Sequence, residues 1–176
     1  MDRFLEEVVV KKNRMVDEII YYMANVMMIF CALATFFLMN LVFVAFSVGM
    51  LALTVFAAGM AVYLFIFRDR LRLEYEYTFT NGSLDFAQVY NNKKRKNLGS
   101  LNVRNVDAFG PVASNSFNRY ISMPETKQLR WFLNKEAPLY YVVFSKEGVR
   151  KILIFEPSEQ MVEYVRYYLP VGTYQA

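Results

Sequence analysis

From Ile19 to Phe67 the chain runs 49 residues without an Asp, Glu, Lys or Arg. No other feature restricts its fold as much. As one helix the run would be about 73 Å long, more than twice the roughly 30 Å hydrocarbon core of a bilayer. Two spans of about 20 residues with a short connection fit that thickness. We place them at about 20–39 and 47–67, with the turn near 40–46, where Asn40 and Gly49 are the only turn-formers. A buried helical hairpin in a soluble fold would need far more protein than 176 residues to cover both helices all round. Ala32-Leu33-Ala34 resembles a signal-peptide cleavage site. The charged first 18 residues and the second apolar span beyond the site argue against cleavage.

The flanking charges orient the hairpin. Arg3, Lys11, Lys12 and Arg14 precede the first span, and Arg68, Arg70 and Arg72 follow the second, while the connection carries no charge. The positive-inside rule then assigns both termini to the cytoplasm and the chain to the cell membrane as a multi-pass protein. No ionisable carboxylate, lysine or arginine lies inside the run, which argues against proton relays and ion-coupled transport. Gly49 and Gly59, with several alanines, give the second span a small-residue face for close helix packing, and Asn25 is expected to hydrogen-bond between helices. Cys31 is expected to be inert, buried in lipid or between helices.

The flanking segments read differently. In residues 1–18, Phe4, Leu5, Val8 and Val9 share a face at helical spacing, with Glu7 and Lys11 at i,i+4. Two readings fit: a short amphipathic helix on a surface, or an extension of the first span. Residues 68–176 carry 16 basic and 11 acidic side chains and form the part that folds in water. There Leu71, Leu73, Tyr75, Tyr77 and Phe79 alternate with polar residues, the pattern of a half-buried strand. Asn81-Gly82 then signals a type I′ hairpin, because that turn needs positive φ at both positions. A return strand over 83–90 and a turn at Asn91-Asn92 follow, with further strands expected over about 95–101 and 105–112. The polar stretch 113–125 reads as a long loop. Strands are expected over 127–133, 139–145 and 149–155, the last two joined at Lys146-Glu147-Gly148. Met161, Val162, Val165, Tyr168 and Leu169 then trace a helical stripe closed by Pro170.

Seven strands, four and then three, with a C-terminal capping helix are the pattern of a pleckstrin-homology barrel. The run Tyr77-Thr78-Phe79-Thr80-Asn81-Gly82, the basic cluster Lys93–Lys96 and the spaced Leu98, Leu101, Val103 and Val106 resemble bacterial pleckstrin-homology-like domains that follow transmembrane helices. The ending from Phe155 to Pro170 is similar to a family of small two-pass bacterial membrane proteins of uncharacterised function. The resemblance covers the whole chain. It implies an architecture, a two-helix transmembrane hairpin followed by a mostly-β pleckstrin-homology-like barrel, and little about activity. The stretch 113–126 departs most from that pattern.

Chemistry is sparse. The sequence has no histidine and one cysteine, which removes histidine-based nucleophilic pairs, histidine-bound metals and cysteine clusters. Glu74 and Glu76 share a strand face but point away from the Tyr75/Tyr77 side, as solvated carboxylates do. No glycine-rich phosphate loop is present. No enzyme activity, cofactor, metal or nucleic-acid partner is expected. The candidate contacts for anionic lipid or phosphate are Lys93, Lys94, Arg95 and Lys96, joined by Arg68, Arg70 and Arg72. The same run also suits a solvated turn that blocks edge pairing. Trp131 and Phe132, if exposed, are candidate anchors for a protein partner. The leading expectation is a tethered module for protein–protein assembly or scaffolding, as a homo-oligomer or with another protein. The alternative is a sensor of anionic lipid or phosphate.

Overall fold

A computed structural model describes residues 2–176. It contains eight strands and four α-helices. In chain order these are β1 (Phe4–Val9), α1 (Met15–Val44), α2 (Val48–Arg70), β2 (Leu73–Thr80), β3 (Ser83–Tyr90) and β4 (Lys94–Asn102). A 3₁₀ turn at Val103–Asn105 leads to β5 (Ala108–Pro111), α3 (Asn115–Ile121), β6 (Lys127–Trp131), β7 (Tyr140–Lys146), β8 (Val149–Phe155) and α4 (Glu159–Tyr168). The chain divides into two compact units. One holds the segment up to Lys12 with Glu74–Val89 and Arg95–Ala176, and the other holds Asn13–Leu73 with Tyr90–Lys94.

In the helical unit, α1 and α2 are both long and apolar enough to cross a membrane. Two threonine hydroxyls bond within their own helix: Thr35 Oγ1 donates to the Cys31 carbonyl at 2.7 Å, and Thr54 Oγ1 to the Met50 carbonyl at 2.8 Å. Asn40 does the same towards Phe36 at 2.8 Å. It therefore does not open the turn expected near 40–46. α1 continues to Val44, and the chain reverses at Ala45-Phe46-Ser47.

The β-rich unit has two four-stranded sheets, ordered β1-β2-β3-β4 and β5-β7-β8-β6. Three hairpin turns have positive φ at two successive residues, as I′ geometry requires: Asn81-Gly82 (49° and 99°), Asn91-Asn92 (50° and 52°) and Glu147-Gly148 (58° and 75°). The aromatic centre consists of Tyr77, Phe86, Phe109 and Phe155, all essentially inaccessible. Phe155 meets the Tyr77 ring edge-on at 5.5 Å and the Phe86 ring at 5.5 Å. Ser158 caps α4 by accepting from the Met161 amide at 3.1 Å, and the helix buries Met161, Val162 and Val165. Its Tyr168 packs on Phe79 at 5.6 Å.

Several expectations are corrected. The segment before the helices is neither an amphipathic helix nor an extension of α1. It is the edge strand β1, antiparallel to β2 from Phe4↔Thr80 to Val9↔Tyr75. Its exposure alternates along Phe4–Val9 with period two, so the long-range partner decides between the two periodicities. With β1 the strands number eight rather than seven. No ladder joins the two sheets among the described residues, so the barrel is not closed. The strand expected over 105–112 shortens to β5 and leaves the first sheet for the second. The stretch 113–126 is more than a loop, because α3 lies within it. Phe117 on α3 meets Tyr141 at 5.3 Å, and Tyr120 and Ile121 pack on the same cluster of Ala108, Val143, Ile152 and Ile154. The second sheet is thus covered on both faces, which explains the unbroken apolar run Ile152-Leu153-Ile154-Phe155.

Candidate functional site

The basic residues singled out from the sequence do not act as one group. Lys93, Lys94, Arg95 and Lys96 are all exposed and consecutive. Arg95, however, pairs with Glu76 at 2.8 Å. In the helical unit, Arg72 holds both carboxylate oxygens of Glu18, at 3.1 and 2.5 Å, and lies over the Tyr21 ring at 3.7 Å. Arg68 donates to the Asn25 side-chain oxygen and stands over the Phe65 ring at 4.7 Å. The Arg68–Asn25 hydrogen bond joins α1 and α2. Of the seven candidate contacts, Lys93, Lys94, Lys96 and the exposed Arg70 have no side-chain ion pair or hydrogen bond among the described residues.

The small-residue face is used unevenly. A Cβ at Gly59 would meet nothing within 4 Å, and one at Gly49 would meet only Ser47 Oγ at 3.7 Å. The buried contacts between α1 and α2 fall instead at Ala24 and Thr54. Trp131 and Phe132 are half-buried rather than exposed. Trp131 packs on Phe86 at 5.0 Å, and Phe132 joins the cluster under α3.

A partly exposed polar seam ties β1 to the rest of the β-rich unit. Glu7 accepts from the Ser158 amide with its two carboxylate oxygens at 3.1 and 3.3 Å. Asn134 donates to the Val10 carbonyl at 2.9 Å, accepts from the Lys12 amide at 2.8 Å and reaches Glu156 at 2.9 Å. The Tyr77 hydroxyl donates to the Trp131 carbonyl, and burial pushes its pKa up. Burial also raises the Glu7 pKa above its ordinary 4.5. The Ser158 hydrogen bonds oppose that shift and the Glu156 charge adds to it. The folded chain therefore holds the Glu7 proton more tightly than the unfolded chain. Stability falls as pH rises from about 4.5 through the raised folded value. Glu7→Gln keeps an acceptor for Ser158 and removes the charge. Thermal unfolding of this variant at a series of pH values is expected to give a flatter profile above pH 4.5 and a Tm at neutral pH no lower than that of the natural chain.

A family model described as a bacterial PH-like domain, DUF6106, matches residues 1–175. The chain belongs to this family. The match spans β1 and both long helices as well as the sheets, so the PH-like family unit includes the apolar hairpin. Comparison with curated proteins and with solved structures gives no significant match.

The PH-like domain also holds a cavity that sequence reasoning missed. It opens between the unpaired edges β4 and β6, has a volume of about 150 Å³, and is lined by Phe86, Leu129, Trp131 and the lysines Lys127, Lys146 and Lys151. In the sequence the three lysines lie 19 and 5 positions apart. Only the parallel pairing of β6 with β8 brings Lys127 opposite Lys151.

Proposed function

We propose that this PH-like protein is a non-enzymatic, two-pass membrane protein that displays its β-rich unit on the cytoplasmic face as an assembly platform. The observation that carries the two-pass reading is the pairing of β1 with β2. These strands flank the hairpin in sequence yet share one ladder, so they occupy one compartment. The helices between them cross the bilayer an even number of times. Two crossings agree with their length and with large exposed side chains such as Phe36, Phe37 and Phe56, which water would not cover at acceptable cost. The basic flanks Arg14 and Arg68–Arg72 choose the cytoplasmic side.

Cysteine mapping tests this reading. In a Cys31→Ser background, single cysteines at Glu6, Phe46 and Glu136 are treated with an impermeant maleimide in intact cells and in inverted vesicles. Positions 6 and 136 are expected to react only in inverted vesicles, and position 46 only from outside. Labelling of 46 and 136 from one side overturns the topology.

The assembly role draws support from the open barrel, whose strands β4 and β6 have no ladder partner on their outer edges among the described residues. Three of the seven candidate basic contacts, Arg68, Arg72 and Arg95, are already engaged by Asn25, Glu18 and Glu76, which favours assembly over lipid sensing. Gently solubilised protein that runs only as a lone monomer by native mass measurement would remove the assembly reading. The non-enzymatic reading rests on the absence of histidine and on Glu76 being engaged by Arg95.

A further inference from the structure

The inner face of the second sheet ends in charge where its pattern is apolar. On β6, Trp131, Leu129 and Lys127 share that face; on β8, Phe155, Leu153 and Lys151 stand opposite them. β7 continues the same rows with Tyr140, Val142 and Phe144. Phe155 and Leu153 are fully buried, so Lys151 and Lys127 sit directly above the core at the rim of the cavity between β4 and β6. Like charges directly opposite on one face repel. Lys146 adds a third, and no acidic side chain lines the cavity.

Edge protection accounts for Lys127, because β6 is an edge strand and inward charges discourage edge pairing. It does not account for Lys151, because β8 is paired on both sides. The floor is apolar: the Phe86 and Trp131 rings lie 5.0 Å apart. The opposite wall is β4, where Gly99 has φ +147° and a Cβ would touch the edge of the Trp131 indole at 3.9 Å, so a glycine keeps this wall without a side chain. A volume of about 150 Å³ matches one aromatic ring.

We propose that this cavity binds a small organic anion. An apolar group about one ring in size sits on Phe86 and Trp131, and its carboxylate or phosphate is held by Lys127 and Lys151, with Lys146 at the mouth. The anion supplies the countercharge the lysine pair lacks, and the ring fills the cavity volume of about 150 Å³. This proposal does not depend on the membrane reading or the assembly reading.

Trp131 is the only tryptophan, so its emission reports directly on the site. The experiment uses the full chain in neutral-lipid nanodiscs, titrated with phenyl phosphate and phenylacetate and, as controls, with inorganic phosphate and benzyl alcohol. A saturable change in Trp131 emission is expected with at least one aryl anion, with inorganic phosphate and benzyl alcohol each at least tenfold weaker. Lys127→Gln/Lys151→Gln is expected to weaken aryl-anion binding tenfold or more, and Lys127→Arg/Lys151→Arg to retain it. The arginine pair keeps the charge and so separates lost binding from lost folding. No saturable signal with either aryl anion overturns the proposal. So does unchanged affinity in the glutamine pair, or inorganic phosphate binding as tightly as phenyl phosphate.

Discussion

Phe155→Ala is expected to destabilise the β-rich unit by about 3–5 kcal/mol, the range for truncating a fully buried aromatic. Phe155 is inaccessible to solvent and makes ring contacts with Tyr77, Phe86 and Phe109. Its loss leaves three rings facing a void that β8, paired on both sides, cannot easily collapse to fill. Domains of this size are stable by only about 5–15 kcal/mol, so the variant approaches the unfolding threshold. Denaturant unfolding followed by Trp131 emission measures the effect, since that indole packs on Phe86. The helical hairpin is a separate compact unit and should keep its protease resistance in the same variant. Phe132→Ala, at a half-buried site, is the control and is expected to cost distinctly less. A loss below about 1 kcal/mol for Phe155→Ala would mean that the aromatic cluster is not the organising core.

The features legible in the sequence were those encoded locally. The uncharged run gave α1 and α2. The alternation from Leu71 to Phe79 gave β2, Asn81-Gly82 gave its turn, and Met161 to Leu169 gave α4. The features that were not legible depend on partners far along the chain. Phe4, Leu5, Val8 and Val9 fit helical spacing, and only a ladder to residues about 70 positions later makes them a strand. Asn40 reads as a turn-former because its side-chain bond to Phe36 cannot be read from composition. α3 hid in a polar stretch whose few apolar residues, Phe117, Tyr120 and Ile121, gain meaning only as the cover for the outer face of the second sheet. The candidate site divides the same way. Lys93–Lys96 was conspicuous as a run, and the pairing of Arg95 with Glu76 was not. The Lys127–Lys151 juxtaposition depends on a parallel register between strands separated by β7, which no local pattern encodes.

Removing residues 2–9 is expected to cause the second large effect, loss of the folded β-rich unit as a discrete species. β1 covers the edge of β2 along six paired positions, from Phe4↔Thr80 to Val9↔Tyr75. Each hydrogen bond in such a ladder contributes about 0.5–1.5 kcal/mol net, partly offset by the cost of ordering the segment. The contacts beyond the ladder go as well. Arg3 and Asn81 exchange two hydrogen bonds at 2.9 and 3.0 Å, Arg3 stands 3.9 Å over the Tyr167 ring, and Glu7 receives the Ser158 amide at the start of α4. The deletion also bares the edge of β2, whose alternate residues Tyr75, Tyr77 and Phe79 are buried in the core, and an uncovered strand edge pairs with other chains. Size-exclusion chromatography of the truncated chain should therefore show larger assemblies, and trypsin should cut within β2–β4. A synthetic peptide of residues 2–12 added in trans should restore both properties by strand addition, because the missing element is a ladder partner. A truncated chain that elutes as the full chain does and stays trypsin-resistant without the peptide would show that β1 merely rests on the sheet. The shared ladder would then lose its force as the reason for placing both flanks of the hairpin on one side of the membrane.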